Sequence, residues 1–128
     1  MHMGRSTPGK ILRTALVALI LIPLGAGVAQ SADRTFTVVN IDYEGTKVWV
    51  PATLVVEEGD TVQIKLINNV PGGVNQHGFS IAAFDVAAVV TRGEPETVKF
   101  TASKSGIFPI NCQLHPAHIG GQLVVLDD

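Results

Sequence analysis

The sequence predicts an all-β domain of about seven or eight short strands, arranged as a two-sheet sandwich or a small barrel. Short runs rich in Val, Ile, Thr and Phe recur along the chain, and turns of Gly, Pro and Asn separate them. Beyond residue 31, no helical apolar period persists over three turns, which argues against long amphipathic helices.

Individual strands follow from alternation and composition. In residues 61–67 apolar side chains alternate with polar ones, which is the pattern of a half-buried strand, and Glu96–Thr101 alternates in the same way. The residues between 57 and 61 predict a turn between two strands, and the segment 84–90 fits either one helical turn or an irregular strand. The other predicted strands are residues 36–41, 53–57, 106–111 and 122–126, with one more strand beginning near residue 77.

Residues 1–31 have the layout of a secretory signal peptide. Three basic residues precede an apolar core over residues 15–24, and small residues follow it. The small residues favour cleavage before Ala32, with cleavage after Ala29 as the alternative. An uncleaved membrane anchor is disfavoured because it normally needs about 20 apolar residues. We therefore expect an exported domain, residues 32–128, without a stable membrane span.

Composition restricts the classes of function. Of 128 residues, 46% are hydrophobic and 16% charged, which argues against disorder, and the net charge of −2 provides no basic surface for nucleic acid. Residues 32–128 carry six Lys and Arg but all eleven acidic residues, for a net charge of −5. The single cysteine excludes an internal disulfide, a four-cysteine zinc site and a binuclear copper site with two thiolates.

That cysteine lies in the segment that carries the chemistry. Cys112, His115 and His118 follow one another at intervals of three residues, and His77 lies upstream at the start of a predicted strand. A thiolate with imidazoles suits copper in both oxidation states. One cysteine with three histidines is also a legitimate zinc set. A Cys/His hydrolase is disfavoured, because a chain this short leaves little room for a substrate cleft.

The loop resembles the metal loop of the cupredoxins. The pattern Cys112-x-x-His115-Pro116, followed by two glycines and a terminal strand, is closest to amicyanin-like members. The wider stretch, residues 78–84, 100–102 and 112–116, is similar to the red copper protein nitrosocyanin. The resemblance implies a Greek-key β-sandwich and one copper ion per chain. It also implies a periplasmic or extracellular carrier of single electrons that docks transiently to a redox partner protein.

By that resemblance His77, Cys112 and His115 are the equatorial copper ligands. Amicyanin-like loops have methionine where this chain has His118, and residues 32–128 contain no methionine. Nitrosocyanin has a glutamate in place of His77 and spaces its second loop histidine more widely. We therefore hypothesise a four-ligand site with His118 as the fourth ligand. The alternatives are an open or displaceable position that binds or reacts with a small molecule, and copper storage or delivery.

Overall fold

The computed structural model describes residues 1–4, 9 and 30–127. The apolar core of the expected signal peptide, residues 15–24, lies outside the described residues, so that expectation stays a prediction. Within the described part of the chain, no helix has the length and apolar character needed to cross a membrane.

Nine strands and one short 3₁₀-helix form the described part of the chain, in agreement with the predicted all-β class. The strands are β1 (Asp33–Tyr43), β2 (Thr46–Val50), β3 (Thr53–Glu57), β4 (Thr61–Asn68), β5 (Gln76–Ile81), β6 (Val86–Thr91), β7 (Glu96–Thr101), β8 (Gly106–Ile110) and β9 (Gly121–Leu126). The 3₁₀-helix is Ala82–Phe84, between β5 and β6. All of these elements lie within residues 33–126.

The strands form a β-sandwich with mixed sheets. One sheet has the order β2-β1-β4-β7, in which β1 and β4 run parallel. The other layer contains the sheet β3-β9-β8 and the hairpin β5-β6. Both layers contribute to one buried core, whose largest members include Ile64 and Leu66 from β4, Leu54 from β3, Leu123 from β9 and Phe79 from β5. Burial of these side chains is the main source of stability.

Strand prediction succeeded where alternation was clear. Strands β3 and β7 have the predicted bounds, and the alternating apolar residues of β4 are fully buried. The ambiguous segment 84–90 contains both features that it suggested, the end of a 3₁₀-helix and then a strand. Strand β2 was not predicted; it pairs with β1 across a turn in which Glu44 and Gly45 both adopt positive φ. The apolar residues of β2, residues 48–50, are consecutive, so the strand shows no alternation that would predict it.

One connection between strands brings the candidate ligands from separate parts of the sequence together. Strand β5 joins the end of β8 through an isolated bridge between Ser80 and Asn111, each of which donates its backbone N–H to the other's carbonyl. His77 on β5 therefore lies beside the residues that directly follow Asn111. Two distant segments of the chain meet here because this bridge joins β5 to the end of β8.

Candidate metal centre

The structure brings together all four residues that the sequence singled out: His77, Cys112, His115 and His118. One ligand atom from each lies within 4.8 Å of the others. We refer to these four residues as the His/Cys cluster. Its three imidazole rings face one another, with centroids 5.2 Å apart for His77 and His115, 5.3 Å for His77 and His118, and 4.6 Å for His115 and His118.

Two consecutive turns in the loop between β8 and β9 present three members of the cluster. The His115 N–H donates to the Cys112 carbonyl at 3.2 Å, and the His118 N–H donates to the His115 carbonyl at 3.0 Å. Each turn closes between residues three apart, so the side chains at both its ends can face the same side. Pro116 occupies the second position of the second turn, where its fixed φ is favourable. The three-residue spacing in the sequence thus has a local structural reason.

Strand β5 supplies both the fourth imidazole and a hydrogen bond to the sulfur. The Gly78 N–H donates to Cys112 Sγ at 3.1 Å, next to His77 on the same strand. A Cβ at Gly78 would overlap the Gln113 side-chain amide and come within 3.0 Å of the Gln113 backbone nitrogen, so a larger residue here would displace Gln113. The buried Trp49 holds the strand in place, because its indole N–H donates to the Gly78 carbonyl at 2.9 Å.

Sequence reasoning missed the contact between Gly78 and the sulfur of Cys112. A signal was present, since a glycine inside a β-rich run often marks a close backbone approach. The Trp49 contact had no such signal, because it joins residues 29 positions apart.

A network of amides supports the segment that precedes His77. The buried Asn68, at the end of β4, donates to the Asn75 carbonyl at 3.1 Å and to the Val90 carbonyl at 3.0 Å. Val90 is the partner of His77 in the β5–β6 register. On the loop, Gln113 donates from its side chain to the Ala88 carbonyl of β6 at 2.9 Å. The hairpin therefore anchors both segments that contribute to the cluster.

Burial differs among the four members of the cluster. Cys112 and His77 are each 5% exposed, His118 is half-buried and His115 is exposed. Burial lowers the pKa of His77, and the neighbouring His115 and His118 lower it further. Burial also lowers the pKa of His118, with a further contribution from His115. Both rings are therefore held in the neutral form that binds metal ions.

Comparison with known proteins identifies the fold family. A family model described as a cupredoxin-like domain matches residues 14–125. The chain belongs to the cupredoxin-like family. No curated protein sequence matches it at a significant level.

Solved structures agree with this assignment. A copper nitrite reductase from Nitrosomonas europaea is similar at a TM-score of 0.61 with 21% identity, over 75% of this chain and 42% of that one. Auracyanin from Roseiflexus castenholzii matches at 0.59 with 19% identity, over 75% of this chain and 99% of auracyanin. A Cu-containing nitrite reductase from Thermus scotoductus matches at 0.57 with 28% identity, over 75% of this chain and 28% of that one. This cupredoxin-like chain thus spans less than half of either reductase but nearly the whole of auracyanin, and at these identities the likeness describes the fold.

The donor set of this cupredoxin-like protein fits a copper ion. His77 Nδ1 and His118 Nδ1 are buried and have no hydrogen-bond partner within the described part of the chain. Buried polar atoms without partners are costly, and a metal ion would satisfy both. Two bonds of about 2.0–2.3 Å to one ion span at most about 4.4 Å, so a spread of 4.8 Å needs only a small closure. Imidazole and thiolate together are a donor set that suits copper.

Proposed function

We propose that this protein is an exported cupredoxin that carries single electrons on one copper ion held by the His/Cys cluster. The convergence of one thiol and three imidazoles within 4.8 Å is the observation that supports this function. Bound copper would supply a one-electron couple between Cu(II) and Cu(I). The protein would hold the ligands in place, adjust the electronic properties of the sulfur and limit the access of water.

Each ligand has a distinct environment in the proposed site. Buried Cys112 would bind as the thiolate, and the Gly78 N–H stabilises its negative charge at 3.1 Å. His77 and His115 would complete the trigonal set. His118 would bind in place of the weak thioether found in amicyanin-like loops. A nitrogen ligand at this position should favour tetragonal geometry, weaken the copper–thiolate bond and lower the reduction potential.

The exposed ring of His115 gives electrons a short route to the surface. Leu114 and Ile119, which flank the loop histidines, are 42% and 62% exposed. An apolar edge of this kind suits a small, transient contact with a redox partner protein. The net charge of −5 over residues 32–128 favours a partner with a basic surface, and it makes the contact sensitive to salt.

Export follows from the predicted leader. We propose that residues 1–31 direct the chain to the periplasm or the extracellular space, where a domain with no stable membrane span, residues 32–128, acts.

Copper reconstitution tests the proposed function. Residues 32–128 would be loaded with Cu(II), and copper content, visible absorption and EPR would be recorded beside His118→Ala and the neighbouring control Ile119→Ala. We expect one copper per chain and an intense thiolate-to-copper band. We also expect tetragonal EPR parameters that become blue-type in His118→Ala alone. Blue-type EPR in the wild type would contradict ligation by His118, and a colourless protein that retains zinc against Cu(II) would contradict the copper assignment.

The half-buried position of His118 supports a second candidate function. If its imidazole leaves the metal, the open position would admit a small molecule such as nitric oxide or peroxide, as the resemblance to red copper proteins suggests. Stopped-flow spectra of the Cu(II) and Cu(I) forms with these molecules distinguish the two functions. An electron carrier shows no new inner-sphere species and exchanges electrons rapidly with itself, whereas a storage or delivery protein exchanges them slowly.

A further inference from the structure

A buried carboxylate, away from the His/Cys cluster, binds Ala32, the residue that directly precedes β1. Asp60 lies in the turn between β3 and β4 and is fully buried. Its Oδ1 accepts the backbone N–H of Ala32 at 2.9 Å. Its Oδ2 accepts the Arg34 Nε–H at 2.8 Å and the Glu57 N–H at 3.0 Å. Ala32 itself is held from the other side, because its carbonyl accepts the Thr61 N–H at 2.9 Å.

The charges around Asp60 do not balance. Arg34 is the cation that contacts Asp60, and its guanidinium also lies 3.7 Å from the Glu57 carboxylate. One guanidinium, on a side chain that is 42% exposed, therefore serves two carboxylates, of which one is buried. The Glu57 and Ala32 N–H groups and then Arg34 hold the pKa of Asp60 below its ordinary value, so the carboxylate is charged. A buried charge is costly unless it is paired, and a second cation would complete the pairing.

Cleavage of the leader would create such a cation at the right atom. Hydrolysis of the peptide bond between Ser31 and Ala32 releases the Ser31 carboxylate with the leader and leaves an α-amino group on Ala32. That amine takes up a proton near neutral pH. We propose that the resulting α-ammonium group of Ala32 forms an ion pair with Asp60, so that removal of the leader completes the charge pairing of this buried carboxylate. The ammonium group has three N–H donors where the uncut chain has one amide N–H.

The inference rests on the export part of the proposed function but not on copper. It also distinguishes the two cleavage sites that the sequence allows. Cleavage after Ala29 would place the ammonium group on Gln30, which is exposed, and would leave an ordinary amide at Ala32. Only cleavage before Ala32 delivers the charge to the buried carboxylate.

NMR titration of the terminal amine tests the ion pair. Two chains that begin at Ala32 and at Gln30 would be released from removable fusions, with the N-terminal residue isotopically labelled. Both contain all nine strands and the whole core, which lie within residues 33–126. The pKa of a free α-amine is about 7.7–8.0, and we expect that of the Ala32 amine to be higher by about one unit, a tenfold shift in its protonation equilibrium. The Gln30 amine should keep the ordinary value.

Asp60 contacts the Ala32 nitrogen, Arg34 contacts Asp60, and Glu57 lies 3.7 Å from Arg34. Two variants separate the contributions of Asp60 and Arg34. Asp60→Asn should return the Ala32 amine to the pKa of the Gln30 chain. Arg34→Ala removes the competing cation from the same carboxylate and should raise the pKa of the Ala32 amine further, so it serves as the test if Asp60→Asn does not fold. Equal pKa values for the two terminal amines, or no response to Arg34→Ala, would overturn the proposal. Apo protein suffices, so a failure to bind copper leaves this result unaffected.

Discussion

Buried polar groups occur near both ends of strand β4, and the protein satisfies them to different degrees. Before its first residue, both oxygens of Asp60 accept hydrogen bonds from N–H donors of the chain. Beyond its last residue lies the His/Cys cluster, where two buried imidazole nitrogens have no partner within the described residues. A buried polar group destabilises a folded protein unless something satisfies it. The difference indicates that the Asp60 end is built for stability and the cluster end for an added ligand.

Substitution of Cys112 should give the largest effect, because it changes copper binding at the cluster end directly. Cys112→Ser removes the one soft ligand of the proposed copper site, and we expect the thiolate-to-copper band to disappear. Loss of a supporting hydrogen-bond partner already costs about 10- to 100-fold in metal affinity, so loss of the ligand should cost at least about 100-fold. Copper titration followed by visible absorption measures both changes.

The apo fold should survive this substitution, because the serine oxygen can still accept the Gly78 N–H. Thermal unfolding of the apo variant provides the control. A variant that keeps the intense visible band would show that Cys112 does not bind the metal.

Substitution at the other end should affect stability and leave copper binding intact. Asp60→Asn replaces an acceptor oxygen with an NH₂ group that faces N–H donors, and we expect a loss of about 2–3 kcal/mol in the free energy of unfolding. Denaturant unfolding measures the loss, with the exposed Asp85→Asn as the matched control. If Asp60→Asn also changed the copper spectrum, the two ends of β4 would not be independent.

The Trp49 contact allows a more graded test, because it links the core to the cluster. Trp49→Phe leaves the Gly78 carbonyl without its donor, which should cost about 1–3 kcal/mol of stability. It should also shift the copper–thiolate band, because Gly78 positions the N–H that contacts the sulfur. Tyr43→Phe, at a 62% exposed position, is the control and should change stability by no more than about 0.5 kcal/mol. A destabilised Trp49→Phe variant with an unshifted band would show that Trp49 stabilises the fold without affecting the copper site.

The smallest expected effect is the pH dependence of the apo protein's stability. His77 and His118 have lowered pKa values in the folded state, whereas in the unfolded chain they titrate near 6.5. As the pH falls through 6.5, the unfolded state takes up protons that the folded state does not yet bind, so the stability of the apo protein should decrease. Denaturant unfolding between pH 7.5 and about 5 measures this slope.

Variants of the same two histidines provide the control for the pH experiment. In the double variant His77→Gln and His118→Ala, the decrease in stability below pH 6.5 should be smaller. An apo protein that becomes more stable in that range would contradict the lowered pKa values.

Most of the fold was predictable because alternation is a local property. Strands β4 and β7 were recognised from side chains that alternate between core and solvent. Strand β2 was missed because its apolar residues, residues 48–50, are consecutive and do not alternate, so its pairing with β1 had no local signal. The segment 84–90 stayed ambiguous because a 3₁₀-helix and a strand adjoin within it.

The candidate site was predictable to the extent that residue chemistry and spacing determine it. A thiol followed by histidines at three-residue intervals indicated a metal loop, and two successive turns account for that spacing. The support from Trp49 and the contact between Asp60 and Ala32 could not be predicted in this way. They join residues 29 and 28 positions apart, and nothing local in the sequence encodes such distances.

The amino-acid sequence alone was enough to predict the all-β class, most strand positions and the four residues of the His/Cys cluster. These properties depend on side-chain type and on neighbours within a few residues. Tertiary structure decided that β5 pairs with the end of β8, which brings His77 to the loop. It also decided which buried polar groups find partners among the described residues and which do not. Burial and pairing between distant segments exist only after the sheets have packed around a common core.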